Sequence, residues 1–305
     1  MSSTPASEEN APYNAQETTT LSPREEPTSH TPSVFDNVRK IRTVHLNAAK
    51  AAGEKFAMLT CYDYLTAQIF DAAGIELLLV GDSASNNVLG YESTLAITVD
   101  EMIPLVAAVS RGAQRSMVVA DLPFGSYQAS PAQAVETASR FMKEGGAHAI
   151  KMEASSAYAE HVKAITQAGI PVMAHIGFTP QSEHALGGFR IQGRGDSREK
   201  ILHDALTLTE AGAFCLLMEM VTEDVAEAVN KAVGDTPTIG IGAGSSTTGQ
   251  VLVWQDAFGL RQGKMARFVK QYAHIAEELT DAAKTYRQEV RDGTYPGPEH
   301  IFKNS

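Results

Sequence analysis

The segment LLLVGDS, residues 77–83, constrains the fold of this chain more than any other stretch. Four apolar residues lead directly into Gly-Asp-Ser, which is typical of a strand that is buried on both faces and ends in a carboxylate. Strands of that kind belong to parallel sheets, and in parallel α/β folds ligands bind at the carboxyl ends of the strands. Asp82 is therefore predicted to lie where chemistry takes place, although an Asp in this position can also cap the following helix or loop.

Seven further segments repeat this design and predict an alternation of strands and helices. The eight predicted strands are residues 56–60, 77–80, 116–120, 147–151, 171–174, 213–218, 238–241 and 251–254. Eight strand–helix units with short helix-to-strand turns favour a single α/β domain, a (β/α)8 barrel of about 250 residues, over an open doubly wound sheet. The two long connections, residues 84–97 and 176–197, both follow strands. We expect them to cover the upper end of the barrel, although either could be ordinary surface elaboration.

The composition predicts a soluble protein that acts on small molecules. Of the 305 residues, 43% are hydrophobic, but no apolar run is long enough to span a membrane. The formal net charge of -11 argues against a nucleic-acid surface, which needs clustered Lys and Arg. Cys61 and Cys215 form neither a CxxC motif nor a Cys/His metal spacing. Both are therefore predicted to be buried thiols in a reducing compartment, the cytoplasm.

Residues 1–34 differ in composition from the rest of the chain. They consist largely of Ser, Thr, Pro and Glu, with five acids against one Arg. Such a segment buries too little apolar surface to offset the entropy of ordering it, so we predict a disordered tail. It has neither the basic start and apolar core of a signal peptide nor the character of a mitochondrial presequence. Residues 35–305 are predicted to form the catalytic barrel domain.

Ionisable and glycine residues stand at the ends of six consecutive predicted strands. In chain order they are Asp82 with Ser83, Asp121, Lys151 with Glu153, His175, Glu219, and Gly242 to Gly244. Because the carboxyl ends of the strands of a barrel form one rim, these side chains are predicted to converge. Their convergence indicates an active site more strongly than any one of these residues does alone.

Asp82 and Asp121 end adjacent strands, and two carboxylates that close repel each other unless a proton or a cation lies between them. Ligation by oxygen alone favours Mg²⁺, which proteins usually hold through one or two carboxylates together with water and substrate. Glu153 is predicted to join them, directly or through a water molecule. Zinc is the weaker alternative because His175 has no second His or Cys at a ligand spacing. Each Asp could instead cap its own loop.

Three other rim residues have candidate roles, each with an alternative. Lys151 is suited to neutralise a substrate carboxylate, or to form a Schiff base as in barrel aldolases. Glu219 follows a strongly apolar strand, where burial would raise its pKa and suit it to proton transfer, although it could pair with an Arg or Lys of the rim. His175 could hydrogen-bond a substrate oxygen or satisfy core polarity. The GIGAG segment, residues 240–244, could allow the close approach of a ligand or phosphate.

Nine segments of this chain resemble the ketopantoate hydroxymethyltransferase family, also called the 3-methyl-2-oxobutanoate hydroxymethyltransferase family. They are FAMLTCYDY, LLLVGDS, VLGYEST, VVADLPFGSY, AIKMEA, HIGFTPQS, GGFRIQGRG, GIGAG and DAFG. The resemblance extends over residues 40–302 in the order and with the spacing of the family. It implies a (β/α)8 barrel of the phosphoenolpyruvate/pyruvate-binding group that assembles into a homo-oligomer, typically a decamer.

The resemblance also implies a reaction and a set of site residues. Members of the family transfer a hydroxymethyl group from 5,10-methylenetetrahydrofolate to 3-methyl-2-oxobutanoate through an enolate stabilised by Mg²⁺, and so make 2-dehydropantoate for pantothenate and coenzyme A. By this resemblance the Mg²⁺ ligands are Asp82, Asp121 and Glu153. The predicted contacts to the keto acid are Asp82, Ser83, Asp121, Lys151 and His175. Glu219 is the predicted proton acceptor.

Two other functional classes compete with this interpretation. A metal-dependent lyase of the same barrel group would cleave a carbon–carbon bond next to a 2-oxo acid, but such lyases commonly carry a Cys in a KKCGH-like loop, which neither Cys here does. A barrel that only binds would be expected to have lost rim residues, and here they are all present. One departure from the family lies after GDS, where Leu-Gly-Met is usual and this chain has Ala84-Ser85-Asn86.

Overall fold

The computed structural model describes residues 32–303, which contain a closed barrel of eight parallel strands in sequence order. The strands are β1 (Phe56–Thr60), β2 (Leu77–Val80), β3 (Met117–Asp121), β4 (Ala149–Glu153), β5 (Val172–Gly177), β6 (Cys215–Glu219), β7 (Thr238–Ile241) and β8 (Gly249–Leu252). This closed order confirms the predicted (β/α)8 barrel. The predicted tail, residues 1–34, lies outside the described residues except for 32–34, so the division into tail and domain stays a prediction.

Helices surround this barrel and connect most of its strands. They are α1 (Thr43–Ala52), α2 (Tyr64–Ala72), α3 (Ala84–Asn87), α4 (Val99–Gly112), α5 (Pro131–Lys143), α6 (Ala159–Gln167), α7 (Glu183–Leu186), α8 (Ser197–Glu210), α9 (Glu223–Ala232), α10 (Trp254–Ala257) and α11 (Ile275–Asp292). Short 3-10 turns occur at Thr94–Ala96, Ser156–Tyr158, Pro180–Ser182 and Pro298–His300. Within residues 32–303, no helix combines the length and the apolar character that crossing a bilayer requires.

Alternate residues of each strand pack on opposite sides of the barrel wall. The inward-facing strand residues form one cluster, which includes Phe56, Met58, Leu77, Leu79, Met117, Val119, Ala149, Met173, Cys215, Leu217, Ile239 and Val251. The residues between them, such as Leu78, Val118 and Ile150, belong to a second cluster that packs outward against the helices. Both faces of the wall are apolar, which explains why the strands read as continuous hydrophobic runs.

Helix α1 and the segment before it close the amino-terminal end of the barrel. Phe35 and Ile41 are 4% and 1% exposed and belong to the same cluster as the inward-facing strand residues. The ring of Phe35 meets the ring of Phe56 edge to face, with centroids 6.3 Å apart. The backbone N–H of Val34 donates to Oε2 of Glu54 at 2.9 Å. The attached part of the chain therefore begins slightly before residue 35, within the predicted tail.

The last quarter of the barrel departs from the predicted alternation. The eighth strand begins and ends two residues earlier than predicted, and residues 242–248 join it to β7 without a helix. Gly249 falls inside this strand because the ring of Phe56 occupies the space that a side chain would need. Residues 258–274 contain neither helix nor strand, and the final helix, α11, has no buried residue.

We expect Phe35→Ala to lower the free energy of unfolding by about 3 to 5 kcal/mol, because it removes a buried ring from the closed end of the barrel. Urea denaturation followed by circular dichroism measures this change. The matched control is Val44→Ala on α1, where the side chain is 64% exposed and the change should stay within about 0.5 kcal/mol. Equal effects of the two substitutions would show that Phe35 is not part of the core.

Candidate active site

Ionisable residues take over the inward-facing positions at the carboxyl ends of β3 to β6. Asp121, Lys151, His175 and Glu219 each follow an inward-facing apolar residue by two positions. Strands β3 to β6 run one to three residues further than predicted, so Asp121, His175 and Glu219 lie within the strands rather than after them, and Lys151 lies within β4 as predicted. In the sheet register Asp121 pairs with Lys151, and Glu153 pairs with His175. The alternation that builds the core therefore also directs these side chains towards one point.

A cavity of about 130 Å³ lies at this end of the barrel. Seven predicted site residues form its polar lining: Asp82, Ser83, Asp121, Lys151, Glu153, His175 and Glu219. Its apolar lining includes Leu79, Leu217, Ile241, Val251 and Val253. The cavity is well below the roughly 300–1,000 Å³ of sites for drug-sized ligands, and it therefore suits a small organic acid.

Lys151 forms the central ion pair of this cavity. Its Nζ donates to Oδ2 of Asp121 at 2.7 Å, and both side chains are at most 5% exposed. The same oxygen accepts the backbone N–H of Asp82 at 3.1 Å. Burial alone would lower the pKa of Lys151, but the carboxylates of Asp121, Asp82 and Glu153 raise it above its usual value. The ammonium therefore stays charged, which favours an electrostatic role over a Schiff base, since a Schiff base needs the neutral amine.

Three buried carboxylates surround this single ammonium. Burial, followed by the charge of Asp121, raises the pKa of Asp82 to about 7. Burial, followed by the charge of Asp82, raises the pKa of Glu153 well above its usual value. Oδ1 of Asp121 is buried and has no hydrogen-bond partner among residues 32–303. A divalent cation would balance this charge and would bind that oxygen, and a set of oxygen donors suits Mg²⁺.

Glu153 takes part in this arrangement less directly than the two aspartates. In the described part of the chain, no group of three or more His, Cys, Asp or Glu side chains is arranged to hold a metal ion. The Glu153 carboxylate accepts the backbone N–H of Gln181, at 3.2 and 3.0 Å to its two oxygens. Both predicted modes for Glu153, direct contact and contact through a water molecule, stay predictions. Two carboxylates with water and substrate are the usual ligands of Mg²⁺.

Gln181 is a buried residue of the site that the sequence analysis missed. Its Nε2 donates to Oδ2 of Asp82 and to the carbonyl of Leu122, both at 2.9 Å. Its Oε1 accepts the hydroxyl of Tyr127 at 2.8 Å. Through its side chain and its backbone N–H, this one residue holds the carboxylates of both Asp82 and Glu153. A lone Gln in a long loop has no spacing or composition that marks it, so only the tertiary structure identifies it.

His175 lies between two carboxylates without bonding to either. Its Nδ1 is 3.9 Å from Oε1 of Glu153, and its Nε2 is 3.4 Å from Oε2 of Glu219. Burial, together with the charge of Lys151, lowers the pKa of His175 well below its usual value, so the imidazole is neutral. Neither ring nitrogen has a hydrogen-bond partner within residues 32–303. A ring nitrogen without such a partner suits contact with a substrate oxygen, and this role of His175 stays a prediction.

Glu219 has the properties predicted for a proton acceptor. Its side chain is 18% exposed, and burial raises its pKa to about 8, with the charge of Lys151 opposing this effect. The alternative was an ion pair with a basic residue of the rim. Its Oε2 lies 3.4 Å from Nε2 of His175, which is not an ion pair because the imidazole is neutral, and the role of Glu219 in proton transfer stays a prediction.

Ser83 joins the cavity to the loop formed by residues 84–97. Its hydroxyl shares a hydrogen bond of 2.8 Å with the hydroxyl of Tyr62. Ser85 is one of the three residues that depart from the family pattern, and its Oγ donates to the carbonyl of Ser93 at 2.6 Å. The departure therefore supplies a bond that holds the loop together, and it leaves the ionisable residues of the site in place.

Comparison with known proteins relates this chain to one family. The sequence model described as ketopantoate hydroxymethyltransferase matches residues 40–298. A protein from Arthrobacter sp. (strain FB24) and one from Leifsonia xyli subsp. xyli (strain CTCB07), both named 3-methyl-2-oxobutanoate hydroxymethyltransferase, are 63% and 55% identical to it. The alignments cover 87% and 92% of this chain, and 88% and 99% of those two proteins.

Solved structures with the same fold come from more distant proteins. A phosphonopyruvate hydrolase in complex with oxalate and Mg²⁺ has a TM-score of 0.56 at 15% identity, covering 86% of this chain and 91% of that one. A 2,3-dimethylmalate lyase, described as a member of the PEP mutase/isocitrate lyase superfamily, has a TM-score of 0.56 at 17% identity, covering 86% and 90%. At this level of identity they establish the fold alone, and that fold agrees with the predicted (β/α)8 barrel.

We expect Gln181→Leu to weaken Mg²⁺ binding roughly 10- to 100-fold, because the carboxylate of Asp82 loses the donor that orients it. Calorimetric titration of Mg²⁺ in the presence of a small 2-oxo acid measures this loss. Gln128→Leu is the matched control, since Gln128 donates to Gln181 at 3.2 Å and this contact does not involve Asp82. Unchanged Mg²⁺ affinity in folded Gln181→Leu protein would rule out the orienting role.

Proposed function

Since the chain belongs to the ketopantoate hydroxymethyltransferase family and is an enzyme of that kind, we propose that it transfers a hydroxymethyl group from 5,10-methylenetetrahydrofolate to 3-methyl-2-oxobutanoate. The product would be 2-dehydropantoate, for the synthesis of pantothenate. One observation carries this proposal. The cavity has the size of a small acid, Lys151 and the carboxylates of Asp82 and Asp121 lie together in its lining, and the partly buried Glu219 provides a base.

The oxygen atoms of the keto acid would face the polar group formed by Asp82, Asp121 and Lys151. When Mg²⁺ is bound by Asp82 and Asp121, it supplies Lewis-acid stabilisation of negative charge on those oxygens. The Lys151 ammonium attracts the substrate carboxylate, and its fixed charge needs no reorganisation during the reaction. The branched carbon end of the acid would contact the apolar part of the lining, such as Leu217 and Val251.

Glu219 would then remove the proton from C3 of the keto acid. In the ionised form its carboxylate is a strong base, because the same burial that raises its pKa penalises its charge. His175 lies 3.4 Å from Glu219 and can donate an N–H to the oxygen on which charge develops. The resulting carbon nucleophile forms a bond to the methylene carbon of the folate as the first C–N bond of that carbon breaks, and the freed nitrogen takes the proton that Glu219 removed. Water then displaces the second nitrogen, leaves its oxygen as the new hydroxyl group and gives that nitrogen a proton, so that tetrahydrofolate departs.

The competing lyase function receives no support from the cysteines. Cys61 and Cys215 are both free and fully buried, which confirms the prediction of buried thiols. Cys215 is part of the apolar cluster inside the barrel. Among the described residues, those that line the cavity include no Cys. A lyase of the predicted kind would present a Cys to the substrate.

We further propose that the protein works in the cytoplasm as a homo-oligomer, for which a decamer is typical of the family. The amphipathic helix α11 supports an assembly. Its residues Leu279, Tyr286 and Val290 are 56%, 59% and 47% exposed, and their spacing of seven and four places them on one face. The ring of Tyr286 meets the ring of Tyr295 edge to face, but a row of side chains that remains this exposed and apolar usually packs on another molecule.

The function is tested by mixing the protein with Mg²⁺, 3-methyl-2-oxobutanoate and 5,10-methylenetetrahydrofolate and following 2-dehydropantoate by mass spectrometry. We expect product only when all three are present, and removal of Mg²⁺ with EDTA should abolish it. Folded protein that forms no product, but cleaves a 2-oxo acid, would favour the lyase instead.

We expect Glu219→Gln to slow proton abstraction by a factor of about 10² to 10⁴, because an amide cannot accept the C3 proton. Deuterium exchange into C3 of 3-methyl-2-oxobutanoate, followed by NMR in D₂O with Mg²⁺ and without folate, isolates this step. The amide has almost the same shape as the acid, so calorimetric affinity for the keto acid should change little. Equal exchange rates in both proteins would eliminate Glu219 as the base and make His175 the next candidate.

The exchange rate should also depend on pH. Since the pKa of Glu219 is raised to about 8, the reactive carboxylate is the minor form at pH 7 and the major form at pH 9. We therefore expect exchange to accelerate as the pH rises through this range and then to level off. A rate that falls between pH 7 and pH 9 while the protein stays folded would contradict this assignment.

A further inference from the structure

Tyr62 is the buried partner of a residue that lines the small cavity. Its side chain is 2% exposed and belongs to the cluster that packs outward against the helices. Its hydroxyl shares the hydrogen bond of 2.8 Å with Oγ of Ser83, and Ser83 lines the cavity. Tyr62 follows β1 and Ser83 follows β2, and these strands pair with Thr60 opposite Leu79. The pairing of the two strands therefore brings the phenol next to the hydroxyl of Ser83.

The neighbours of Ser83 fix its backbone and the place of its oxygen. Its carbonyl accepts hydrogen bonds from the backbone N–H and from Nδ2 of Asn87, both at 3.0 Å. Gly81 leaves room for the hydroxyl, since a side chain at that position would begin 2.9 Å from Oγ of Ser83. With the backbone and Oγ held, the main freedom that remains to Ser83 is the direction of its hydroxyl proton.

The hydrogen bond to Tyr62 determines that direction. A hydroxyl has one proton to donate and two lone pairs that accept. Burial raises the pKa of Tyr62 to about 12, so the phenol keeps its proton at neutral pH and can donate it. A phenol is also a stronger donor than an alcohol, because its proton is more acidic. When the phenol donates to Oγ, the proton of Ser83 is left for an acceptor in the cavity.

A carboxylate is the acceptor that this arrangement suits. An ionised carboxylate accepts hydrogen bonds and donates none, and a hydroxyl that donates to it forms a short, strong bond. In the proposed function the ammonium of Lys151 attracts the carboxylate of the keto acid, and the hydroxyl of Ser83 would bind the same group. Because linked hydrogen bonds polarise one another, donation by Tyr62 strengthens the bond that Ser83 makes.

We propose that Tyr62 is a positioning residue for the keto acid, an inference that rests on the proposed function. The phenol donates to Oγ of Ser83, and the hydroxyl of Ser83 donates in turn to the carboxylate of the substrate. Tyr62 acts on the substrate only through Ser83 and takes no part in the transfer of the C3 proton. Loss of the phenol hydroxyl therefore weakens the binding of the acid and spares the chemical step.

The first test replaces Tyr62 by Phe, which keeps the ring and removes the hydroxyl. We expect the affinity for 3-methyl-2-oxobutanoate, measured by calorimetry with Mg²⁺ present, to fall roughly three- to tenfold, as for the loss of one hydrogen bond. In the deuterium exchange assay the KM for the acid should rise by the same factor, while the rate at saturation changes little. Tyr64→Phe is the matched control, because the hydroxyl of Tyr64 meets Gln68 at 3.1 Å on the surface. Its loss should change neither value.

The second test asks whether Tyr62 acts through Ser83. Ser83→Ala removes the hydroxyl that would bind the carboxylate, so adding Tyr62→Phe should cost no further affinity. The double variant should then bind the acid as weakly as Ser83→Ala alone, which is the coupling expected of two residues that act in series. Losses that add, or a Tyr62→Phe protein that binds the acid normally, would overturn the inference.

A third comparison covers the case in which Tyr62→Phe does not fold. Tyr62 is replaced by 4-aminophenylalanine, which keeps a donor at the same place, and by 4-fluorophenylalanine, which has a similar outline and no donor. We expect the amino group to retain the affinity for 3-methyl-2-oxobutanoate and the fluorine to lower it as Phe does. Equal affinities of these two proteins would show that donation by residue 62 does not matter, and the inference would be wrong.

The outcomes distinguish this inference from the proposed function. If Tyr62→Phe binds the acid normally while the unmodified protein makes 2-dehydropantoate, the inference fails and the function stands. If the unmodified protein binds the acid and the effects of Tyr62 and Ser83 are coupled, but no hydroxymethyl group is transferred, the function fails and the inference stands. If the unmodified protein does not bind the acid, both fail.

Discussion

The buried ion pair between Lys151 and Asp121, 2.7 Å long, is the interaction on which the rest of the site depends. One ammonium is held among three carboxylates, and burial together with the excess negative charge raises the pKa values of Asp82 and Glu153. Removing one partner would leave uncompensated charge in a dry interior, which usually costs several kcal/mol. Asp121 and Lys151 are paired in the register of neighbouring strands β3 and β4. The sheet therefore keeps the two charged side chains next to each other.

The strands and the ionisable residues could be predicted because they follow simple periodic rules. A buried parallel strand is apolar at every position, and the residue that breaks this pattern at its end is conspicuous, as Asp82 and Glu219 are. The ends of β3 to β6 were placed one to three residues short, because a polar residue was interpreted as the end of the strand. The structure shows that Asp121 is part of the sheet instead, where it pairs with Lys151.

Other features could not be predicted because they depend on contacts between distant segments. Gln181 reaches Asp82 across 99 positions of sequence, and nothing local marks it as part of the site. The glycines of the GIGAG segment carried a visible signal, but the sequence did not reveal that Phe268 and Glu223 would occupy the space they leave. The start of β8 at Gly249 was missed for the same reason, since the cause is the ring of Phe56 on another strand.

The closure of the lower end of the barrel by Phe35, Ile41 and α1 has a consequence for the order of events in catalysis. Because buried apolar side chains fill that end, the barrel opens only at the carboxyl ends of its strands. The small cavity is formed by strand ends, and a second cavity, of about 920 Å³, is formed by the loops that follow β5 to β8. We expect a ligand in this second cavity to obstruct the way to the smaller one, with which it shares Glu219. The smaller cavity is then filled first and emptied last, which is a compulsory order of binding.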